Sequence, residues 1–281
     1  MKNIKSYPGH YYRDGRWSRV SDVLAVEVAL SISINGTPFT VTMQTPGQER
    51  DLVRGLLYGE NVYRDLGIDP AIAVTCFTDD SYISAVEVTI PPDRILKDFA
   101  GTRNVISASS CGMCGKTKLD DEVGIVIDHD AVIRPEVVGT MFDQMAEMQQ
   151  SFQQSGGTHA AGLFALDGEM LSIREDIGRH NAVDKVIGDL LYRRMLERGK
   201  CLTVSGRISY EIVSKARAAG IPYLASVSAP STLAVDEAQQ SGMTLMAFCR
   251  NHKLTVYSNP QHVLIEGIEP EHGPVNKEVH V

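Results

Sequence analysis

The sequence lacks an apolar run approaching the roughly 18 residues that a membrane-spanning helix needs. Its first residues, MKNIKSYPGHYYRDGRW, contain no apolar core of the kind that a secretory signal peptide carries. Basic residues are too few to give the protein an overall positive charge, because 27 Lys and Arg against 35 Asp and Glu leave a net charge of −8. No overall positive field attracts nucleic acid. These absences predict a cytoplasmic protein that binds neither membrane nor nucleic acid, in which local positive charge must hold any anionic ligand.

The sequence has only five cysteines, an odd number: Cys76, Cys111, Cys114, Cys201 and Cys249. An odd count in a reducing compartment argues against a disulfide framework. Cys76 and Cys201 lie inside the apolar, strand-like runs AVTCF and CLTVS, and we expect both to be buried core thiols. Cys249 ends the similar run LMAFC, but basic residues follow it, so a core position and a place in a site both stay open.

Cys111 and Cys114 form a CxxC inside SSCGMCGK. A structural zinc site usually needs four N or S ligands, and the sequence has neither a second CxxC nor a His pair at finger spacing, so we expect no structural metal. A thioredoxin-like pair would open a helix after a strand, whereas this pair lies in a Ser/Gly loop. Two unreactive loop thiols remain an alternative. The neighbouring Lys116 and Lys118 favour a thiolate, which indicates a nucleophilic thiol suited to sulfur transfer.

The hydrophobic pattern changes along the chain. The first 125 or so residues favour strands, with a hairpin turn at Asn35-Gly36 and one short helix in QERDLVRGLLYGEN. From about residue 134 helices and strands alternate in the order α-β-β-α-β-α-β-α-β, which predicts a three-layer domain with a mixed sheet. The predicted fold class is α/β (α+β overall), with a β-rich N-terminal domain over residues 1–125 that ends in the CxxC loop and an α/β domain over residues 126–281.

The densest polar cluster is SIREDIGRHNAVDK, residues 172–185, at the end of a predicted strand and the start of a predicted helix. α/β sheets bind ligands at such junctions, and helix N-termini attract phosphate. The alternative is a solvated helix cap in which Asp176 or Asn181 is the capping group. The candidate site residues in this cluster are Arg179, His180, Asn181 and Lys185.

Three further loops, in VSGRISYE, SVSAPST and AFCRNHK, each follow a predicted strand of the same sheet. Loops that leave one edge of a sheet with Gly, Ser or Arg predict a single anion-binding crevice. His159, in SGGTHAAG, precedes a strand and is as compatible with a structural role as with a functional one. The other candidates in these loops are Ser205, Gly206, Arg207, Arg250, His252 and Lys253.

Several segments resemble motifs of the FdhD family of formate dehydrogenase accessory sulfurtransferases: SSCGMCGK, GGTHAAG, EDIGRHNAVDKVIG, VSGR, SKARAAGIPYLASVSAPSTLAV and TLMAFCRN. The resemblance runs from about Val23 to Pro260 and includes TPGQERDLVRGLLYGEN, where Asn61 stands in place of an expected glycine. It implies a cytidine-deaminase-like fold for the C-terminal domain and a homodimer. Deaminase chemistry does not follow, because the chain has no H-x-E and its CxxC lacks a preceding proline.

The resemblance also implies an activity. In that family a cysteine desulfurase loads persulfide sulfur onto the protein, which passes it to molybdenum or tungsten bis(molybdopterin guanine dinucleotide) and so matures formate dehydrogenase. By motif, Cys111 is the persulfide cysteine and Cys114 a second thiol. The segment that matches the cofactor-binding region comprises Phe248, Cys249, Arg250, Asn251, His252 and Lys253. The alternative is a chaperone that holds and inserts the cofactor without transferring sulfur.

Overall fold

The structure, a computed structural model, describes residues 3–97, 99, 127, 129 and 131–265. The CxxC loop with Cys111 and Cys114 lies outside the described residues. The chain begins with an antiparallel hairpin of β1 (Ile4–Arg13) and β2 (Arg16–Ala25). Its turn residues, Asp14 and Gly15, both have positive φ, which matches the twist of a two-residue hairpin. The sequence predicts no strand before Val23, because that segment has no apolar face that alternates cleanly with a polar one.

A four-stranded sheet follows, in the order β4-β3-β6-β5. Its strands are β3 (Val28–Ile34), β4 (Thr37–Gln44), β5 (Ala71–Phe77) and β6 (Ile83–Thr89), and α1 (Glu49–Gly59) packs on one face. The hairpin at Asn35-Gly36 and the short helix are confirmed. Apolar and polar residues alternate in the run VLAVEVALSISING, which predicts one strand that ends at Asn35-Gly36. In the structure this run is divided between β2 and β3.

The second half forms a six-stranded sheet in the order β12-β11-β10-β9-β7-β8. Its strands are β7 (His159–Phe164), β8 (Met170–Asp176), β9 (Cys201–Val204), β10 (Tyr223–Ser226), β11 (Thr244–Arg250) and β12 (Lys253–Val256). The helices are α2 (Pro135–Met148), α3 (Gln150–Ser155), α4 (Arg179–Tyr192), α5 (Tyr210–Ala218) and α6 (Thr232–Gln240). No helix in the described ranges is long and apolar enough to cross a membrane.

Two separate apolar cores cover the two faces of this sheet. Side chains of α2, such as Met141 and Met145, pack with Phe164 on one face, while α4, α5 and α6 pack with Leu202 and Leu224 on the other. Helices on both faces of a mixed sheet make three layers. The predicted fold class is therefore confirmed, and the order of elements agrees with the prediction except that the first helix is divided into α2 and α3 and β12 is an additional strand. The likeness to cytidine deaminases and the boundary between residues 125 and 126 stay predictions.

The two predicted core thiols differ in outcome. Cys201 is fully buried in β9, as predicted. Cys76 is exposed, so that prediction is wrong. Its strand, β5, is an edge strand of the four-stranded sheet, and most of its side chains are accessible to solvent. An apolar run marks a strand but does not show whether both of its faces are covered.

A close crossing of α1 and α4 joins the part of the chain that carries the four-stranded sheet to the six-stranded sheet. A Cβ atom built on Gly188 would lie 1.8 Å from the backbone oxygen of Asp51, and one on Gly55 would lie 1.9 Å from that of Asp184. The two helix backbones are therefore in direct contact, which only glycine permits. Arg174 extends the contact, with its Nη2 atom 3.0 Å from Asp189 and 3.7 Å from Asp51.

Gly188→Ala should destabilise the protein by about 3 kcal/mol, because the new methyl group meets backbone that cannot rotate away. The matched control is Gly139→Ala in α2, where the nearest atom to the new Cβ is His252 Nδ1, on a side chain, at 3.3 Å. That variant should stay within about 1 kcal/mol of the parent. Denaturant unfolding curves for both proteins test the difference, and equal midpoints would contradict a backbone contact at Gly188.

Candidate functional site

Most of the predicted cofactor-binding residues follow strands that end at one edge of the six-stranded sheet. Strands β9, β10 and β11 are parallel, so their carboxyl ends point the same way. Strand β7 runs antiparallel to both β8 and β9, so the end of β8 and the start of β7 lie at this edge too. The loops that begin at Ile177, Ser205, Val227 and Asn251 therefore meet there, as predicted from the order of elements.

His159, Ser205, Gly206 and Arg179 are brought together at this edge. Ser205 Oγ accepts a hydrogen bond from the backbone N–H of Ala160 at 2.9 Å and lies 3.4 Å from His159 Nδ1. A Cβ on Gly206 would lie 3.3 Å from the His159 ring and 3.4 Å from Arg179 Cδ. The glycine therefore lets both side chains pass close to the loop after β9.

Positive charge accumulates around His159. Burial lowers the pKa of His159, and the nearby charges of Arg179, His180 and Arg207 lower it further. An imidazole in such surroundings is neutral at pH 7, and an anion beside it would favour its protonated form. The electrostatics of this edge therefore suit an anionic ligand.

The two arginines of this group have no acidic partner among the described residues. Arg179 Nε is buried and makes no hydrogen bond there, while Arg207 is exposed and forms no ion pair. Elsewhere Arg54 and Arg174 are matched with carboxylates. A buried N–H group without a partner needs an explanation, and a bound anion is one.

His180 is held by the next helix. Its Nε2 atom lies 2.9 Å from Glu211 Oε2 and 3.2 Å from Ser209 Oγ, and the residue is buried. The pair joins the first turn of α4 to the first turn of α5. The His180 side chain is therefore engaged in contacts between α4 and α5.

Asn181 and Lys185 occupy a different position from the one predicted. Lys185 is fully buried, and its Nζ atom lies 2.8 Å from Asp176 Oδ2 and 2.8 Å from the backbone oxygen of Thr45. Asn181 Nδ2 donates to the backbone oxygen of Met43 at 2.7 Å and to Asp176 Oδ1 at 3.1 Å. Both side chains connect α4 to the end of β4. Their assignment to a cofactor site is corrected, because helical spacing turns them away from the edge that Arg179 faces.

The segment Phe248–Lys253 forms a bulge followed by a tight turn. Phe248 has a φ of 55°, an unusual value for a bulky residue, at an irregularity between β11 and β12. Asn251 and His252, with φ of 53° and 56°, form the two-residue turn between these strands. Arg250 Nε donates to the backbone oxygen of Val227 at 3.1 Å, and the exposed Lys253 extends from the other side of the turn.

Cys249 belongs to the apolar core under this turn. It is 4% exposed, and burial raises the pKa of its thiol to about 12. A protonated thiol is a poor nucleophile, so Cys249 contributes shape and not sulfur chemistry to this region.

Two cavities open beside α2. One, of about 300 Å³, lies between α2 and the turn of residues 250–253, and we call it the turn cavity. The other, of about 390 Å³, lies between α2 and the start of β7, is bordered by His159 and Ser205, and is called the edge cavity. Phe142 borders both. Their sizes fall at the lower end of those typical of small-molecule sites.

Five residues of α2 that were not predicted from the sequence line the turn cavity opposite Arg250 and Lys253: Pro135, Val138, Gly139, Phe142 and Asp143. The apolar spacing of α2 identifies only the face that packs on the sheet. The available signal was Gly139, because glycine inside a helix costs stability and often marks a close approach. In the described part of the chain, no three His, Cys, Asp or Glu side chains are grouped to hold a metal ion.

A mixed α/β fold whose sheet edge carries arginines without acidic partners in the described ranges forms a candidate site for an anionic ligand. Residues 25–264 match the model of the FdhD/NarQ family. The chain is 41% identical over 263 residues to the sulfur carrier protein FdhD of Streptomyces avermitilis, covering 90% of this chain and 93% of that protein. It is 43% identical over 256 residues to the protein of the same name from Mycobacterium tuberculosis, covering 86% and 92%. The chain therefore belongs to the FdhD/NarQ family.

A crystal structure supports the fold. It is that of a Desulfotalea psychrophila protein assigned to the formate dehydrogenase accessory proteins. The two structures superpose with a TM-score of 0.72 over 94% of this chain and 100% of that one, at 20% sequence identity. At this identity the likeness shows the fold alone.

Thiol labelling should separate the cysteines of the described residues. In a Cys111→Ala/Cys114→Ala variant, iodoacetamide should modify the exposed Cys76 of the native protein and leave Cys201 and Cys249 unmodified, because burial raises the pKa of both thiols. Unfolding in guanidinium should expose all three. Peptide mass spectrometry gives the positions, and rapid native labelling of Cys249 would contradict its buried, protonated state.

Proposed function

We propose that this protein is a sulfurtransferase that carries persulfide sulfur from a cysteine desulfurase to molybdenum or tungsten bis(molybdopterin guanine dinucleotide) for formate dehydrogenase. The observation that carries this proposal is a pair of arginines at the sheet edge, Arg179 and Arg207, which have no acidic partner among the described residues. They belong to a chain of the FdhD/NarQ family. The names of the relatives, sulfur carrier proteins, support the sulfur step. The protein would act in the cytoplasm as a homodimer.

The cofactor substrate carries several phosphates and two guanines, and the chemistry of the edge suits both groups. Arg179, Arg207, Arg250 and Lys253 supply positive charge for phosphates, and guanidinium groups bind phosphate oxygens with paired N–H donors. The exposed carboxylate of Asp143 lies across the turn cavity from Arg250. A carboxylate accepts from the adjacent N–H groups of guanine, a pattern that adenine does not present. Asp143 would therefore favour guanine in this cavity.

Cys111 is the proposed sulfur carrier, by its match to the family motif. Its thiolate attacks the terminal sulfur of the desulfurase persulfide, the donor S–S bond breaks, and the desulfurase leaves as a thiolate. In the second step the S–S bond at Cys111 breaks and the terminal sulfur is transferred to the metal of the substrate. The two electrons needed to reduce it come either from that metal or from Cys114, which would then close a disulfide with Cys111.

Chain length permits this delivery. Cys111 is twelve residues from Phe99 and sixteen from Ile127, the nearest described residues on either side. Twelve residues span at most about 40 Å, which is comparable with the diameter expected of a compact protein with a radius of gyration near 19 Å. Cys111 can thus reach both a partner and the sheet edge. The alternative, a cofactor chaperone without sulfur transfer, needs only the edge.

Incubation with a cysteine desulfurase and cysteine should add one sulfur atom to the protein at Cys111, reversibly by reductant. Intact-protein and peptide mass spectrometry measure the gain. Cys111→Ala should abolish it, whereas Cys76→Ser, which removes the exposed thiol on β5, should leave it unchanged. Loading that persists in the Cys111 variant would disprove the assignment, and absence of any loading would favour the chaperone.

Guanine nucleotide binding should depend on the arginines of the edge. Arg207→Ala and Arg250→Ala should each weaken GDP binding by about 1.5–3 kcal/mol, roughly 10- to 150-fold, because each removes a charge-assisted hydrogen bond to phosphate. The control is Arg198→Ala, which removes an exposed arginine paired with Glu169. Calorimetry with GDP and ADP measures both affinity and base preference. Unchanged affinity in both edge variants would place the nucleotide elsewhere.

A further inference from the structure

The acidic segment of residues 266–281, which we call the C-terminal tail, is not used by the proposed function. It lies outside the described residues, and it follows residues 25–264, which match the family model. The tail contains four glutamates, at positions 266, 269, 271 and 278, against one lysine, Lys277. Three of these glutamates fall within its first six residues. A surface that binds the tail should therefore be positively charged.

The described chain ends beside the turn cavity. Leu264 N donates to the backbone oxygen of Ile133 at 2.9 Å, and Val263 is buried in the core that α2 covers. Two residues after Ile133 comes Pro135, which borders the turn cavity. Two residues span at most about 7 Å. The tail therefore starts next to the wall of this cavity.

Positive charge around the turn cavity lacks acidic partners in the described ranges. Arg250 and Lys253 line the cavity, and Arg134 directly precedes Pro135 in its wall. All three side chains are exposed, and none of them forms an ion pair with the described part of the chain. Asp143 is the one carboxylate among the described residues that line the cavity. The margin of the cavity thus keeps an excess of positive charge in a protein whose net charge is −8.

The first glutamates of the tail can reach this charge. Gly139 lies about 6 Å along α2 from Pro135, at about 1.5 Å per residue. A Cβ atom on Gly139 would lie 3.3 Å from His252 Nδ1, so the turn of residues 250–253 adjoins this part of the helix. From Ile265 to Glu271 the chain can span about 20 Å. That length exceeds the separation between the start of the tail and the turn.

We propose that the C-terminal tail binds the margin of the turn cavity through its glutamates and competes there with the anionic ligand. A tethered segment acts at an effective concentration of about millimolar, so exposed ion pairs that are individually weak can hold it in place. The ligand displaces the tail by supplying its own negative charge to Arg250 and Lys253. This inference concerns the regulation of the site, and it rests on the proposed function for the identity of the ligand as a nucleotide.

Zero-length crosslinking of the full-length protein tests the contact. A carbodiimide should join Lys253 Nζ to one of the first three tail glutamates, and the yield should fall at high salt because screening weakens exposed charge pairs. Peptide mass spectrometry identifies the new amide. The pair of Lys5 and Asp80, 3.1 Å apart, is the positive control for the coupling reaction. In a mixture of isotopically heavy and light protein, the Lys253 crosslinks should lie within one copy.

Calorimetry with GDP measures the competition. Glu266→Gln/Glu269→Gln/Glu271→Gln should bind GDP about three- to tenfold more tightly than the parent, which corresponds to a tail bound in about 70–90% of molecules. The control removes three exposed carboxylates elsewhere and should keep an affinity close to that of the parent: Asp79→Asn/Asp93→Asn/Glu197→Gln. Saturating GDP should reduce the yield of the Lys253 crosslink in the parent.

The outcomes separate the tail contact from the nucleotide site. Absence of a Lys253 crosslink while Lys5 and Asp80 react, or Lys253 crosslinks between copies only, would overturn the proposal. Equal GDP affinity of the parent and the tail variant would also overturn it. If the crosslink forms but neither protein binds GDP, the tail contact stands and the nucleotide site of the proposed function is wrong.

Discussion

The backbone contact between α1 and α4 is the constraint on which the arrangement of the rest depends. At Gly55 and Gly188 the helices approach until no side chain fits between them. Because α1 covers the four-stranded sheet and α4 covers the six-stranded one, this crossing sets how the two sheets lie relative to each other. The Lys185–Asp176 pair, whose side chains are fully buried, reinforces it next to the end of β4. Breaking such a pair would leave a charge without compensation in the interior.

The same crossing divides the residues of one motif between two roles. Arg179 emerges at the first turn of α4 beside Gly206, on the edge where the strand ends meet. Asn181 and Lys185, further along the helix, point toward the end of β4 and hold the N-terminal part of the chain. Part of the polar motif in residues 172–185 is therefore structural. Its buried polar groups are paired with groups on β8 and at the end of β4, as buried polar groups require. The site depends on these contacts of Asn181 and Lys185, because they fix the direction of α4 and therefore the position of Arg179.

Electrostatic contrast links the sheet edge to the rest of the protein. A chain with a net charge of −8 places at its edge loops arginines that have no acidic partner among the described residues. Local charge of this kind attracts an anionic group by proximity, and a buried N–H such as Arg179 Nε gains more from it than an exposed one. Burial and the positive charges of Arg179 and Arg207 lower the pKa of His159, which is consistent with a positive electrostatic potential at this edge.

The sequence by itself determined the alternation of helices and strands, the turn at Asn35-Gly36 and the meeting of the loops after β9, β10 and β11. These follow from local periodicity and from the rule that parallel strands end at one edge. Motif resemblance predicted the family, which the comparison with relatives confirms, and it is the basis of the role proposed for Cys111. Only the tertiary structure decided that Cys76 is exposed, that Lys185 faces inward and that Asp143 lines the turn cavity. Each of these depends on which distant element covers a side chain, and local pattern carries no information about that contact.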